Sequence, residues 1–509
     1  MPPLNPAAPP ARLRFVMAGA LLAMALAALD QNIVNTALPR MAGDLGGMAH
    51  LSWVVTAFML TSTTTTPLYG KMSDLFGRRQ MFFVAIGIFL VGSMLCGSSQ
   101  SIAQLILFRA LQGLGAGGLL VLAQASVADV ISPRDRPRYQ GLFTGTFALS
   151  SVAGPVLGGV ITSALSWRWV FYVNLPVGAL ALVTIAFGLR NPPRAAARPI
   201  DYAGAGALAA ATTALLLMLS WAGTEFAWLS AETLGLGVLT LLLAALFLFA
   251  ENRAEEPIIR LALFRNLVFA RGVAVGGMMS FAMLGSTVFL PLYFQLVLGM
   301  SPAVAGAMLV PQVVGMLLTS ILGGRLVSRR GKNRPFLLAG IGLEAAALAA
   351  LALLAYAAAP TAAFLVALGL LGLGMGMGMP NLTTAVQNAV AYREVGAATG
   401  AMTFLRSLGG ALGVALSGAI LAARLTAALA SLHGQVDLHT LIEGGMNALG
   451  TLTPPQRADV VDGYRTALTG CFTLSGLVMT AAFILVTGLP EMTLRRSIDD
   501  ARTEQAGRV

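Results

Sequence analysis

Four ionisable side chains of this chain fall inside long apolar runs: Asp30, Arg109, Glu344 and Arg406. A carboxylate in apolar surroundings resists ionisation, and a guanidinium nearby favours the charged form. Such a pair can exchange a proton as water gains or loses access to it. Asp30 stands about eight residues before the end of the run 15–38, and Arg109 about seven residues into the run 102–128. At 1.5 Å per residue each lies roughly 12 Å from the end of its helix. The functional reading makes Asp30 a proton carrier beside Arg109; the alternative is a fixed structural ion pair. Gln31, Asn32, Asn35 and Thr36 share one arc of the first helix, and Asp30 points away from it. Either that arc packs on neighbouring helices, or Asp30 does not look straight into the same cavity. Glu344 and Arg406 either pair with each other as structure or leave Glu344 to attract a cationic ligand.

The elements that carry these residues follow from composition. The chain has 509 residues, 57% of them hydrophobic and only 10% charged, against about 25% charged in a soluble domain. Mean hydropathy is +0.80. Apolar runs recur at 15–38, 51–69, 81–97, 102–128, 141–165, 170–188, 202–221, 233–250, 272–292, 303–322, 336–357, 361–379, 400–423 and 468–489. Each is about long enough to cross the ~30 Å hydrocarbon core of a bilayer. The fold class is an all-α polytopic membrane protein with fourteen transmembrane helices. The net charge of +11 does not indicate nucleic acid here, because the cations sit in short loops facing one side.

Those loops set the topology. The stretch 70–79, Gly-Lys-Met-Ser-Asp-Leu-Phe-Gly-Arg-Arg, reads as a tight charged loop between two spans, and its cations place it in the cytoplasm. An even number of spans then puts both termini inside. Segments on that side hold 25 of the 32 Lys and Arg; Arg40, Arg168, Arg424, Arg457 and Arg465 fall outside, and Arg109 and Arg406 within spans. The loop recurs 254 residues later, where Gly324-Arg325-Leu326 aligns with Gly70-Lys71-Met72 and Gly331-Lys332 with Gly77-Arg78, with Ser328 in place of Asp74. Six-helix halves related by such a repeat build a central site at the midplane of many transporters. The organisation is a cytoplasmic N-terminus 1–14, an N-terminal half 15–190, two inserted helices 200–251, a C-terminal half 270–490 with an external loop 424–467, and a cytoplasmic tail 491–509. Cys96 and Cys471 read as isolated membrane thiols, with a bridge as the alternative. His50, His433 and His439 form no cluster, no metal site is expected, and no phosphate-binding loop with a following Lys-Ser or Lys-Thr suggests an ATPase.

Five stretches carry a resemblance. The loop 70–79 is similar to the one between helices 2 and 3 of the major facilitator superfamily. Leu29 to Pro39 resembles the first-helix motif of its drug:proton antiporters, and Phe108 to Gly117 the fourth-helix motif whose Arg is implicated in proton transfer. Ser151 to Gly159 resembles the antiporter signature of its exporters, with Ser150 in place of the leading Gly. Trp167 to Gly178 resembles a signature of the 14-span drug:proton antiporter family. Physically, Pro155 should kink the fifth helix. Gly154 with Gly158, and Pro155 with Gly159, form two small-residue edges for close packing. Trp167 and Trp169 read as interfacial anchors.

The resemblance implies the major facilitator fold and a proton-coupled exporter of hydrophobic drugs or toxic compounds working by alternating access, and the two intramembrane carboxylates lean the substrate toward cations. It implies proton coupling at Asp30 and Arg109, and a cytoplasmic gate at Gly70, Asp74, Gly77, Arg78 and Arg79 with Asp129 as partner of Arg78. No enzymatic activity and no cofactor beyond the proton motive force are expected. The expected partners are a small hydrophobic substrate, protons and the lipid bilayer, with a periplasmic adaptor on 424–467 left open. Export of lipids or an endogenous metabolite, or a non-transporting sensor, are the alternatives. Richness in Ala, Gly, Leu and Arg with only Lys71 and Lys332 fits a bacterial inner membrane.

Overall fold

The computed structural model describes residues 10–45, 50–189, 201–223, 225–429 and 453–491. The expected segments before residue 10, at 190–200, across 430–452 (with His433, His439 and most of the external loop) and beyond 491 lie outside the described residues. Every apolar run forms helix, and no strand occurs among the described residues. The N-terminal half comprises α1 (Pro10–Leu45), α2 (Leu51–Phe76), α3 (Arg78–Ser98), α4 (Ile102–Val130), α5 (Arg136–Ala164), α6 (Trp169–Tyr172) and α7 (Asn174–Gly188). The inserted pair is α8 (Tyr202–Trp221) and α9 (Ala231–Arg253). The C-terminal half holds α10 (Leu267–Thr287), α11 (Leu290–Leu292), α12 (Pro302–Ala307), α13 (Val310–Arg330), α14 (Arg334–Tyr356), α15 (Thr361–Asn388), α16 (Val395–Leu429) and α17 (Pro454–Thr487).

Among the described residues, 13 helical stretches are long and apolar enough to cross a membrane. The run that falls short is α2, although it has 26 residues, because Thr61-Ser62-Thr63-Thr64-Thr65-Thr66 dilutes its apolar character. These hydroxyls interlock helices. Thr65 donates to the carbonyl of Leu114 at 3.2 Å and Thr66 to that of Gly117 at 3.3 Å, fastening α2 to α4.

Three expected spans each stay continuous but lose a helical hydrogen bond at one point, with a shared cause. α6 ends at Tyr172, α10 at Thr287 and α12 at Ala307; four residues on stand Pro176, Pro291 and Pro311. Proline has no N–H, so the carbonyl four residues earlier loses its helical donor, while Val173, Val288 and Met308 keep helical geometry and their own bonds four residues back. Pro155 behaves differently: α5 continues through it from Arg136 to Ala164.

The stretch 70–79 is also not the loop that its charges suggest. α2 continues to Phe76, Gly77 alone breaks the chain, and α3 begins at Arg78. Gly77 has φ +92°, a conformation open to glycine and strained for other residues. Its repeat partner Gly331 closes α13 at φ +72°, so the repeat preserves backbone geometry as well as residue types.

Each half has its own apolar core. Phe58, Phe82, Phe89, Leu119 and Ile185 fill the first, and Tyr293, Phe294, Phe364, Leu348 and Phe472 the second. A third cluster joins Leu208 and Phe247 of the inserted pair to Ile258, Ile259 and Leu263 of the following strap and to Val386, Ala398 and Met402 of the C-terminal half. The inserted helices thus lie along the seam between the halves, with α8 also against α2.

Candidate functional site

α1 runs on to Leu45, which places Asp30 near the middle of its helix rather than about eight residues from its end. The carboxylate is fully enclosed, at 0% exposure, and Arg109 is 1% exposed. Arg109 Nη1 donates to Asp30 Oδ2 at 2.6 Å. Gln112 Nε2 and Asn174 Nδ2 both donate to Oδ1, at 2.8 and 2.7 Å. Arg109 further donates to Gln112 Oε1 at 2.7 Å and to the carbonyl of Val54 at 3.3 Å, and its guanidinium carbon lies 4.0 Å from the centre of the Phe58 ring. Ser93 Oγ accepts from Gln112 at 2.8 Å and from Asn174 at 3.2 Å. α1, α3, α4 and α7 therefore converge on one ion pair, and a fixed cation–π face holds the guanidinium in place.

The arc of α1 that Asp30 avoids is explained by packing. Asn32 lies against Gly154, and Thr36 and Ile33 lie against Gly158, so part of that arc meets α5. Asp30 points instead into the core of its own half. Only one of the two expected small-residue edges works this way. Gly154 and Gly158 are buried against α1, whereas Pro155 and Gly159 are exposed, with open space beside Gly159. Trp167 is likewise not an interfacial anchor. It is 2% exposed and donates from Nε1 to Asp44 Oδ2 at 2.8 Å, while Trp169 remains exposed.

The second constellation joins the halves at the end of the bundle that carries Gly77 and Gly331. Asp74 accepts from the amides of Gly396 (3.1 Å) and Ala397 (2.7 Å), the first turn of α16. A carboxylate there also meets the positive end of the helix dipole. Arg78 bonds Asp74 at 2.6 Å, Asp129 at 3.2 Å and the Ser73 hydroxyl. Gly70 lies against Gly396 and Gly400, an approach that a side chain would block. Arg79 stands apart over the ring of Phe83, 5.9 Å from its centre. The repeat produces a matching contact across the seam. Ser328 donates to Asp135 at 2.6 Å, Arg134 donates to the carbonyls of Ser328 and Arg329 at 2.7 and 2.6 Å, and Gly324 lies on Pro137. The ends of α2 and α13 thus dock on the starts of α16 and α5.

Glu344 and Arg406 do not form an ion pair. Glu344 is 2% exposed, against Gly374 and Gly378 of α15, and its Oε1 has no hydrogen-bond partner. Arg406 turns its Nη2 to the Met379 sulfur, and its Nε is unpartnered. Cys96 and Cys471 are free and buried. No group of His, Cys, Asp or Glu suited to a metal ion occurs among the described residues.

Sequence reasoning missed Asn174 and Ser93. A neutral amide or hydroxyl inside an apolar run carries none of the cost that makes a charge stand out. The signal available for Asn174 was Pro176, which marks the missing helical bond beside it.

Two six-helix halves with separate cores, docked on each other through repeated helix ends, define a secondary transporter of the major facilitator type. The sequence profile described as Major Facilitator Superfamily matches residues 20–414, and the chain belongs to that family of transporters, which are not enzymes. It is 38% identical over 409 residues to the multidrug transporter protein MdtP of Bacillus subtilis (strain 168), covering 80% of this chain and 75% of that one. It is 31% identical over 524 residues to the MFS-type efflux pump LUC4 of a Fusarium species, covering 99% and 92%. Among solved structures it is similar to the human organic anion transporter MFSD10 (TETRAN), with a TM-score of 0.65 at 17% identity, covering 94% of this chain and 100% of that one.

Proposed function

We propose that this multi-pass transporter is a proton-coupled antiporter that exports hydrophobic, predominantly cationic compounds. It works by alternating access across fourteen spans in a bacterial inner membrane, with both termini in the cytoplasm. The observation that carries the reading is the enclosed Asp30–Arg109 pair. An ionisable group at this depth is costly and in membrane proteins marks a proton or ion path. The relatives named for multidrug transport and efflux support export. The Glu344 carboxylate, buried with its Oε1 unpartnered and no ion pair formed to the neighbouring Arg406, supports the preference for positive charge.

In this reading the Gly77 end faces the cytoplasm, and the conformation is the one closed on that side. A proton arriving at Asp30 weakens its hold on Arg109. The halves then rock and expose the site inward, helped by about 2.3 kcal/mol per charge per 100 mV of membrane potential. The test is uphill export of tetraphenylphosphonium from proteoliposomes under an imposed pH gradient. Asp30→Asn should abolish accumulation while the protein stays folded and inserted. Uphill export by that variant would remove Asp30 as the carrier.

A further inference from the structure

We propose that Asn174 is a positioning residue that sets the pH at which Asp30 binds its proton. This rests on the reading of Asp30 as the proton carrier.

Asp30 Oδ2 is held by Arg109, but Oδ1 is held by two neutral amides, Gln112 and Asn174. Both amides also reach Ser93 Oγ, so the three side chains form a closed clamp around one oxygen. Hydrogen bonds donated to a carboxylate favour its charged form, and those to an ionised acceptor are the stronger kind. Protonation of Asp30 weakens both amide bonds together with the bond from Arg109. The charged and titratable groups around it are few. Arg109 faces it from α4, and from α3 Cys96 lies near the amide oxygen of Gln112 (3.8 Å). Tyr172 of α6 packs on Gly97. α5 and α7 bring no charged side chain to it among the described residues.

Asn174 differs from Gln112 in its support. Gln112 lies mid-way along α4, an unbroken helix. Asn174 is the first residue of α7; Val173 before it keeps helical geometry and bonds the carbonyl of Trp169 at 3.0 Å, and Pro176 removes one helical donor, that to the carbonyl of Tyr172. It is 2% exposed, so its amide has no competing water. Asn174 thus joins the clamp from a different helix than Arg109 and Gln112, so its donor can be removed without altering the helix that carries the cation.

The experiment titrates the full-length protein in detergent by infrared spectroscopy, following the carboxylic acid C=O band that disappears in Asp30→Asn. In Asn174→Leu, which keeps the branched shape in a larger side chain and removes the donor, the midpoint of that band should move to higher pH by about one unit, a tenfold change in proton affinity. Asn174→Gln should restore most of the shift. The pH profile of tetraphenylphosphonium export in proteoliposomes should move the same way. An unchanged midpoint, with Asn174→Leu merely lowering the melting temperature, would overturn the proposal and leave Asn174 as packing. A band that is absent from the wild type at every accessible pH would instead overturn the carrier role of Asp30 itself.

Discussion

At the scale of single residues, the two halves treat their buried charges differently. Asp30 has a donor on each oxygen, whereas Glu344 leaves Oε1 bare and Arg406 settles for a thioether. The consequence can be measured. Breaking a formed buried ion pair costs about 3–5 kcal/mol, but Glu344 has no such pair to lose. Glu344→Gln, which keeps the side-chain shape, is therefore expected to lower the stability in detergent by clearly less than those ~3–5 kcal/mol. It should weaken transport of tetraphenylphosphonium while sparing a neutral hydrophobic compound, because the Coulomb attraction alone is removed. Equal loss for both compounds with a lowered melting temperature would make the charge structural. The four charges were legible because each interrupts an apolar run. The absence of a Glu344–Arg406 bond was not, because spacing along the chain does not say which way a long side chain turns across three helices.

At the scale of elements, the helices were legible from run length, yet their interruptions and partners were not. Proline spacing accounts for the missing helical bonds after Tyr172, Thr287 and Ala307, but Pro39, Pro67, Pro155 and Pro380 leave their helices unbroken. Local sequence gives the missing donor; tertiary packing decides how the helix accommodates it. The small-residue edges of α5 show the same limit. Their spacing is identical, but only the Gly154–Gly158 edge faces a neighbour, so a side chain at Gly158 would run into Thr36 and the carbonyl of Ile33. Gly158→Leu should lower stability by about 1–3 kcal/mol through overpacking, and Gly159→Leu by no more than about 0.5 kcal/mol. Melting temperatures of the two purified variants decide this, and equal losses would refute the assignment of faces.

At the scale of the whole molecule, the clamp at the Gly77 end ties one conformation to a few hydrogen bonds. Asp74 bonds Arg78 on its own half and two amides of α16 on the other. Hydrogen bonds to charged groups are worth about 1.5–3 kcal/mol each, so Asp74→Ala should shift the balance between closed and open forms by tenfold or more. Labelling of single cysteines placed near the seam of α2 and α16 should speed up in this variant, and an unaltered pattern would reduce Asp74 to a surface charge. The repeat predicted that the two halves would resemble each other. It did not predict that each copy of the motif would dock on the opposite half, because a repeat specifies a unit and not its partner.

The strap after α9 adds a limit on travel. Glu256 is bonded to Lys71 of the first half at 2.7 Å, and Arg260 to Glu394 of the second at 2.5 Å. Four residues separate these anchors, and an extended chain spans at most about 3.6 Å per residue, or roughly 14 Å. In the proposed rocking, parting the backbones at Lys71 and Glu394 by more than this span plus the reach of the four paired side chains would release one ion pair. The Arg260 side of the strap, at 39% exposure against 14% for Lys71, is the weaker grip. In the alternating-access cycle proposed above, the strap would act as a ruler with a breakaway end, letting the mouth open freely through a short stroke and at added cost beyond it.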